Sequence, residues 1–167
     1  MIIWYGNTQA LTTRGQYELC GRVLDVAKDL ECKQVITLGG FRQEEVKSPP
    51  QVYCAGSDHE TVQKILGLGT KVMVGQVFGI AGIMIGLARL RGIRSFSLLV
   101  DTLGTYPDVE ATRTALLILN KLLDLNLDLS NLDLAAEETR KVLQSFGLIR
   151  NVGEEKKREE QQFRWFI

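Results

Sequence analysis

Histidine is nearly absent. His59 is the single one in 167 residues, which excludes mechanisms that need two, such as H-E-x-x-H zinc hydrolysis. Cysteine is scarce as well. Cys20, Cys32 and Cys54 form an odd set without a C-x-x-C pair, which argues against a disulfide framework and against a cysteine metal site. Net charge is missing, since 20 Lys and Arg balance 20 Asp and Glu. Such a chain lacks the basic footprint of a nucleic-acid binder, and no nucleic-acid partner is expected. Met1-Ile-Ile-Trp-Tyr has no basic n-region, and Gly6-Asn7 interrupts it, so it does not read as a secretory signal. Reduced thiols without a signal indicate the cytoplasm. Val72 to Ala88 carries no charged side chain, but Gln76 and four glycines dilute it. At the lower edge of spanning length, it reads as a short strand, a glycine loop and a helix inside a domain rather than a membrane span.

What is present is ordinary for a folded domain. Apolar residues make up 45% and charged residues 24%. A single domain of this length buries roughly 70% of its unfolded surface, enough for a core without staples. Apolar runs alternate with helical periods. Ile2–Tyr5 reads as a strand. Gly15–Leu30 reads as a helix, with Tyr17, Cys20, Val23, Leu24 and Ala27 on one side. Val35–Leu38 reads as a strand buried on both faces and closed by Gly39-Gly40, and Gln51–Ala55 as another strand. Ser57 and Glu60 form a capping box for a helix ending near Gly67. A weak strand at Lys71–Val74 precedes a helix over Ile80–Leu90, stopped by Gly92. Ser95–Val100 is the clearest strand. Pro107 fits the N1 position of a helix reaching Leu123, and Ser130 or Asn131 starts the last helix. This alternation predicts an α/β fold with a mostly parallel sheet covered on both faces.

Several motifs invite chemistry. Gly79, Gly82 and Gly86 lie along one helical stripe, but no G-x-G-x-x-G or G-K-[ST] is complete, and close helix-to-sheet packing accounts for them better than a nucleotide loop. No cofactor or metal is implied. Gly39 and Gly40 follow a strand, and Asp101-Thr-Leu-Gly-Thr-Tyr-Pro-Asp108 follows the clearest one. Both places lie at the carboxyl edge of a parallel sheet, where α/β folds bind ligands. Gly39, Gly40, Asp101, Tyr106 and Asp108 thus form a candidate ligand edge. A tight turn at the glycines fits equally, and Asp108 also fits the first turn of the next helix, where it complements the dipole. No nucleophile–base–orienter set accompanies the two aspartates, so no catalytic residue is assigned. His59 reads as a solvated side chain, and Cys20 and Cys54 as small buried apolar residues.

Beyond Asn151 the composition changes. Residues 154–160 read Glu-Glu-Lys-Lys-Arg-Glu-Glu, and nothing apolar occurs between Val152 and Phe163. This is a solvated or mobile tether. It leads to Phe163-Arg164-Trp165-Phe166-Ile167. Bulky side chains and a carboxylate on a long polar tether suit a socket on a partner, with the aromatics as anchors. Folding back onto the chain's own domain is the alternative.

Taken in order, several segments resemble the proteasome assembly chaperone family and its archaeal members. They are Gly6-Asn7-Thr8-Gln9, Gly15-Gln16-Tyr17-Glu18-Leu19, Ile36-Thr37-Leu38-Gly39-Gly40-Phe41, Val52-Tyr53, Gly79-Ile-Ala-Gly82 through Arg89, Arg91-Gly92-Ile93 and Tyr106-Pro107-Asp108. The resemblance spans about residues 1–148. It implies a three-layer α/β/α sandwich of the phosphorylase/hydrolase-like kind, here over residues 1–150, and no settled enzyme activity. It also implies further strands and helices ahead of the segment that begins at Met1. Archaeal members can end in a hydrophobic–tyrosine–any tail that docks between proteasome α-subunits. Trp165-Phe166-Ile167, closing a 151–167 tether, fills that pattern with Phe for Tyr and lacks the phenolic hydroxyl. The expected function is a non-enzymatic adaptor: an assembly chaperone or activator whose tail, through Trp165, Phe166 and Ile167, meets the 20S α-ring. A homo-oligomer burying more than about 1,200 Å² per pairwise interface is expected, because Ile80–Leu90 and Ala115–Leu123 are both heavily apolar. A phosphorylase/hydrolase-like enzyme at the carboxyl edge and an oligomeric scaffold are the rival readings.

Overall fold

Thr12 opens the first helix by accepting a hydrogen bond from the Gly15 N–H at 3.0 Å. That helix, α1 (Thr13–Asp29), buries Cys20, Leu24 and Ala27, three residues on one stripe. The structure, a computed structural model, describes residues 1–6 and 9–145. These fall into two compact units, one ending at Asn126 and the other beginning at Leu127. The first continues through β1 (Gln34–Arg42), β2 (Val52–Gly56), α2 (His59–Leu66), β3 (Lys71–Val72), α3 (Gly79–Leu90), β4 (Arg94–Thr102) and α4 (Val109–Leu123). The second contains α5 (Ser130–Ser145), where the Ser130 N–H donates to Asp128 Oδ1 at 2.9 Å. The tether and the tail residues Trp165, Phe166 and Ile167 lie outside the described residues.

The sheet has the order β1-β4-β2-β3. β4 is buried from Ser95 to Asp101, as a central strand between two helical layers requires. Its even-numbered side chains Phe96, Leu98 and Val100 join Ile65 of α2 and Ala111, Ala115 and Ile118 of α4 in one core. On the opposite face Ser95 donates to the Ile85 carbonyl of α3, and α3 meets α1 through Met84, Ala88, Cys20 and Leu24. Two helices on each face make the expected three-layer α/β/α sandwich. No helix among the described residues is long and apolar enough to cross a membrane.

Four expectations need correction. The sheet is mixed rather than mostly parallel: β1 runs parallel to β4 and β3 to β2, but β2 is antiparallel to β4. Residues 43–51 contain no helix to carry the chain back, so β2 starts at the end where β1 stopped. Among the described residues β1 is an edge strand, half-buried, with Leu38 51% exposed, and it continues through Gly39 and Gly40 instead of ending there. Ile2–Tyr5 is in no strand, and its side chains are exposed, Ile3 at 78% and Tyr5 at 84%. The glycine stripe of α3 does not pack on the sheet. A Cβ at Gly82 would collide with the Val77 carbonyl oxygen, whereas at Gly86 it would meet open space.

Caps also shift by one residue. Asp58, not Ser57, caps α2, accepting from the Thr61 N–H at 2.8 Å, while the Ser57 hydroxyl accepts from the Ser95 N–H. The Thr61 N–H bond is the main reason the Asp58 carboxyl lies below its ordinary 3.8. A depressed carboxyl adds stability above its ordinary value and loses it as pH falls through the folded one. Asp58→Ala is therefore expected to cost about 1 kcal/mol at neutral pH, a gap to wild type that narrows below pH 3.8. Denaturant titrations across that range check it.

Candidate functional site

A cavity of about 360 Å³ lies at the carboxyl ends of β1 and β4, against the start of α4. Of the five candidate ligand-edge residues, Gly39, Gly40, Tyr106 and Asp108 line it. Thr102 packs closely on Gly40, where a Cβ would come within 2.7 Å of the Thr102 methyl carbon. Leu38, Val100, Ala111, Ala115 and Leu116 make the rest of the wall largely apolar, and Thr102, Gly104 and Thr112 complete it.

Asp108 caps α4 rather than entering its first turn, which leaves Pro107 outside the helix. Its Oδ1 accepts from the Ala111 N–H at 2.9 Å and its Oδ2 from the Thr102 hydroxyl at 2.7 Å. The carboxylate thus ties the end of β4 to the start of α4. Burial pushes the Tyr106 hydroxyl above its ordinary range, and the charges of Asp108 and Glu110 add to that. Asp108→Asn keeps a capping oxygen and is expected to change stability little, whereas Asp108→Ala loses about 1 kcal/mol, readable by urea unfolding.

Asp101 is the candidate that the structure sets apart. Alternation along β4 sends it to the face opposite Thr102, away from the cavity. It is only 7% exposed, and its Oδ1 has no hydrogen-bond partner. Its negative charge and hydrogen bond help raise the Tyr53 hydroxyl, after burial as the larger cause. Tyr53 in turn meets Phe41 edge-on, with ring centres 5.5 Å apart. The Asp101–Asp108 pair considered as an acid–base couple is therefore not assembled.

The residues that sequence reasoning missed here are Thr102 and the α4 wall. Thr102 sits inside the Asp101–Asp108 segment. Ala111, Thr112, Ala115 and Leu116 follow Asp108 at helical spacing, so the signal was the i, i+4 repeat directly after the cap.

The PAC2 family model matches residues 6–146. The chain belongs to the PAC2 family. An uncharacterized protein of Methanocaldococcus jannaschii is 30% identical to this PAC2 chain over 82% of the chain and 54% of that protein. Among solved structures, Pyrococcus furiosus PbaB, an archaeal proteasome activator, is 31% identical with a TM-score of 0.75, covering 85% of this chain and 63% of PbaB. Pyrococcus furiosus PbaA, an archaeal homolog of proteasome-assembly chaperone, is 27% identical with a TM-score of 0.71, covering 83% of this chain and 62% of PbaA. The chain thus spans between about half and two thirds of the length of these relatives. The resemblance read from the ordered motifs is the one these matches bear out.

Proposed function

We propose that this PAC2-family protein is a non-enzymatic, archaeal-type adaptor of the proteasome, working in the cytoplasm as an assembly chaperone or activator. The observation that carries this is the likeness to the activator PbaB in both sequence and fold. In this reading the domain forms a homo-oligomer, and Trp165, Phe166 and Ile167 reach the 20S α-ring on the charged tether. Several tails on one oligomer raise the effective concentration, so weak single contacts sum to avidity. Docking favours an open gate only if the tail binds that state more tightly. The cavity at the carboxyl edge carries no catalytic role in this reading, since Asp108 serves as a helix cap and Asp101 faces elsewhere. A pull-down with 20S core particles tests the proposal, comparing the intact chain with one lacking its last three residues. Equal recovery of 20S by both would overturn tail docking.

A further inference from the structure

Asp101 is a charge without a counterpart. It stands near the carboxyl end of β4, an inner strand of the sheet, and is 7% exposed. Its Oδ1 is buried and accepts no hydrogen bond. No ion pair joins it to another described residue. Buried carboxylates are normally paired, because an isolated charge is costly to take out of water. What does surround Asp101 is aromatic. Phe41 lies directly beside it in the ladder with β1. On the other side Tyr53 of β2 pairs with Leu99, which makes Asp101 its diagonal neighbour on the same face, within reach of a long side chain. The Tyr53 hydroxyl meets the carboxylate, and the Tyr53 and Phe41 rings touch edge-on with centres 5.5 Å apart. Both residues are half-buried, so the cluster reaches the surface, on the face opposite the 360 Å³ cavity.

We propose that Asp101, Tyr53 and Phe41 form a binding site for a primary ammonium group, carried by a free alkylamine or by a lysine side chain. The orphan carboxylate oxygen accepts from the ammonium, and such a charge-assisted bond is about twice as strong as a neutral one. The Tyr53 oxygen is a second acceptor. The rings add the attraction of their π electrons for a cation and an apolar wall for the alkyl chain. One orphan oxygen suits a compact point charge, whereas a planar guanidinium needs two oxygens to use its fork. A divalent metal does not fit, since no group of three His, Cys, Asp or Glu ligands occurs among the described residues and hard cations take six or more oxygens. Asp101 and Tyr53 belong to the two inner strands of the sheet, each flanked on both sides, so the ladder itself sets their spacing. Entry requires only that the two rings part, and a single edge-on contact at the surface is a weak latch.

This site is independent of the proteasome reading, and its test uses the protein alone. Butylammonium, tetramethylammonium and Nα-acetyl-lysine amide are titrated in turn, with ring NMR signals of Tyr53 and Phe41 and thermal unfolding as readouts. Butylammonium is expected to shift both rings saturably and to raise Tm as its concentration rises. Tetramethylammonium has no N–H to donate and is expected to bind about tenfold more weakly or worse. Asp101→Asn keeps the shape and removes the charge. It is expected to weaken butylammonium binding about tenfold or more, while the free variant is as stable as wild type or more so, because an unpaired buried charge is gone. Tyr53→Phe keeps the ring and is expected to weaken binding about threefold to tenfold. Shifts by the lysine amide as well would support a protein side chain as the source of the ammonium, and shifts by butylammonium alone would support a free amine. No saturable shift by either would overturn the proposal. So would binding that Asp101→Asn leaves unchanged or that tetramethylammonium matches. A large loss of stability in Asp101→Asn would overturn it too, by showing the carboxylate to be a structural partner of Tyr53.

Discussion

A chain ending at Arg164 is expected to lose 20S binding and any stimulation of peptide hydrolysis. A buried aromatic anchor typically contributes about 2 kcal/mol or more, and each 1.4 kcal/mol is tenfold in affinity. Phe166→Ala alone is then expected to weaken docking by roughly 30-fold per tail. An oligomer multiplies that effect, because all of its tails are weakened at once and avidity compounds them. Placement supplies a sharper version. One residue added after Ile167 moves the carboxylate by about 3.3–3.6 Å, beyond hydrogen-bond reach of its original partner. That extension should impair binding about as much as the three-residue deletion. Phe166→Tyr gains a phenolic hydroxyl and should bind equally or more tightly. Lys156→Ala with Lys157→Ala should change little, since these side chains belong to the polar spacer. If C-terminal extension leaves 20S binding and peptide hydrolysis unchanged, the docking tail is wrong, and Trp165 and Phe166 are better read as packing on their own chain.

The second large effect is expected in α3, where two glycines four residues apart should respond with opposite signs. Gly82→Ala drives a methyl group into the Val77 carbonyl oxygen, which is backbone and cannot rotate aside. Over-packing of this kind costs about 1–3 kcal/mol and sometimes more. Gly86→Ala meets open space in the middle of a helix, where replacing glycine by alanine is worth about 1 kcal/mol in the favourable direction. Thermal unfolding of the two variants should therefore move Tm down for one and up for the other. Equal losses at both would show that Gly86 is covered, for instance by a neighbouring subunit on that face. Gains at both would mean that the residues entering α3 follow another path.

Much of the framework was legible in the residues themselves. The stripe of Cys20, Leu24 and Ala27 fixed the inner side of α1, and Ser95–Val100 marked the central strand by its unbroken apolar and small residues. Strand direction was not legible, because a run such as Val52–Ala55 reads the same parallel or antiparallel. Only the helix-free link before it carried that information. Edge position was hidden for a similar reason. Val35–Leu38 has the composition of a buried strand, and composition does not say how many neighbours a strand has. At the site, the carboxyl-edge rule grouped Gly39, Gly40, Tyr106 and Asp108, and these four line one cavity. It misplaced Asp101 because proximity in sequence to Asp108 was taken for proximity in space, whereas one step along a strand reverses the face. The cap slipped by one residue at Asp58 and by two at Asp108, where Pro107 read as N1, because neighbouring residues at each site carry competing helix-start signals. The choice between them rests on contacts with β4: Ser57 is engaged by the Ser95 N–H, and Asp108 by the Thr102 hydroxyl.

The position of β4 also has a consequence for synthesis. It is the last of the four strands to be made, yet it is the one on which β1 and β2 both depend. Gln34 waits for Arg94, 60 residues later, before it has a neighbour. At ordinary ribosomal speeds of about 5–20 residues per second, several seconds pass with β1 emerged and unpaired. Long-range parallel pairing of this kind forms late and slowly compared with local contacts. A nascent chain halted before Arg94 has β2 and β3 to pair with each other, but lacks the strand that pairs with β1. β1 and β2 therefore meet their common neighbour only once β4 has emerged, and until then the uncharged Val35–Phe41 stretch is without its ladder partner.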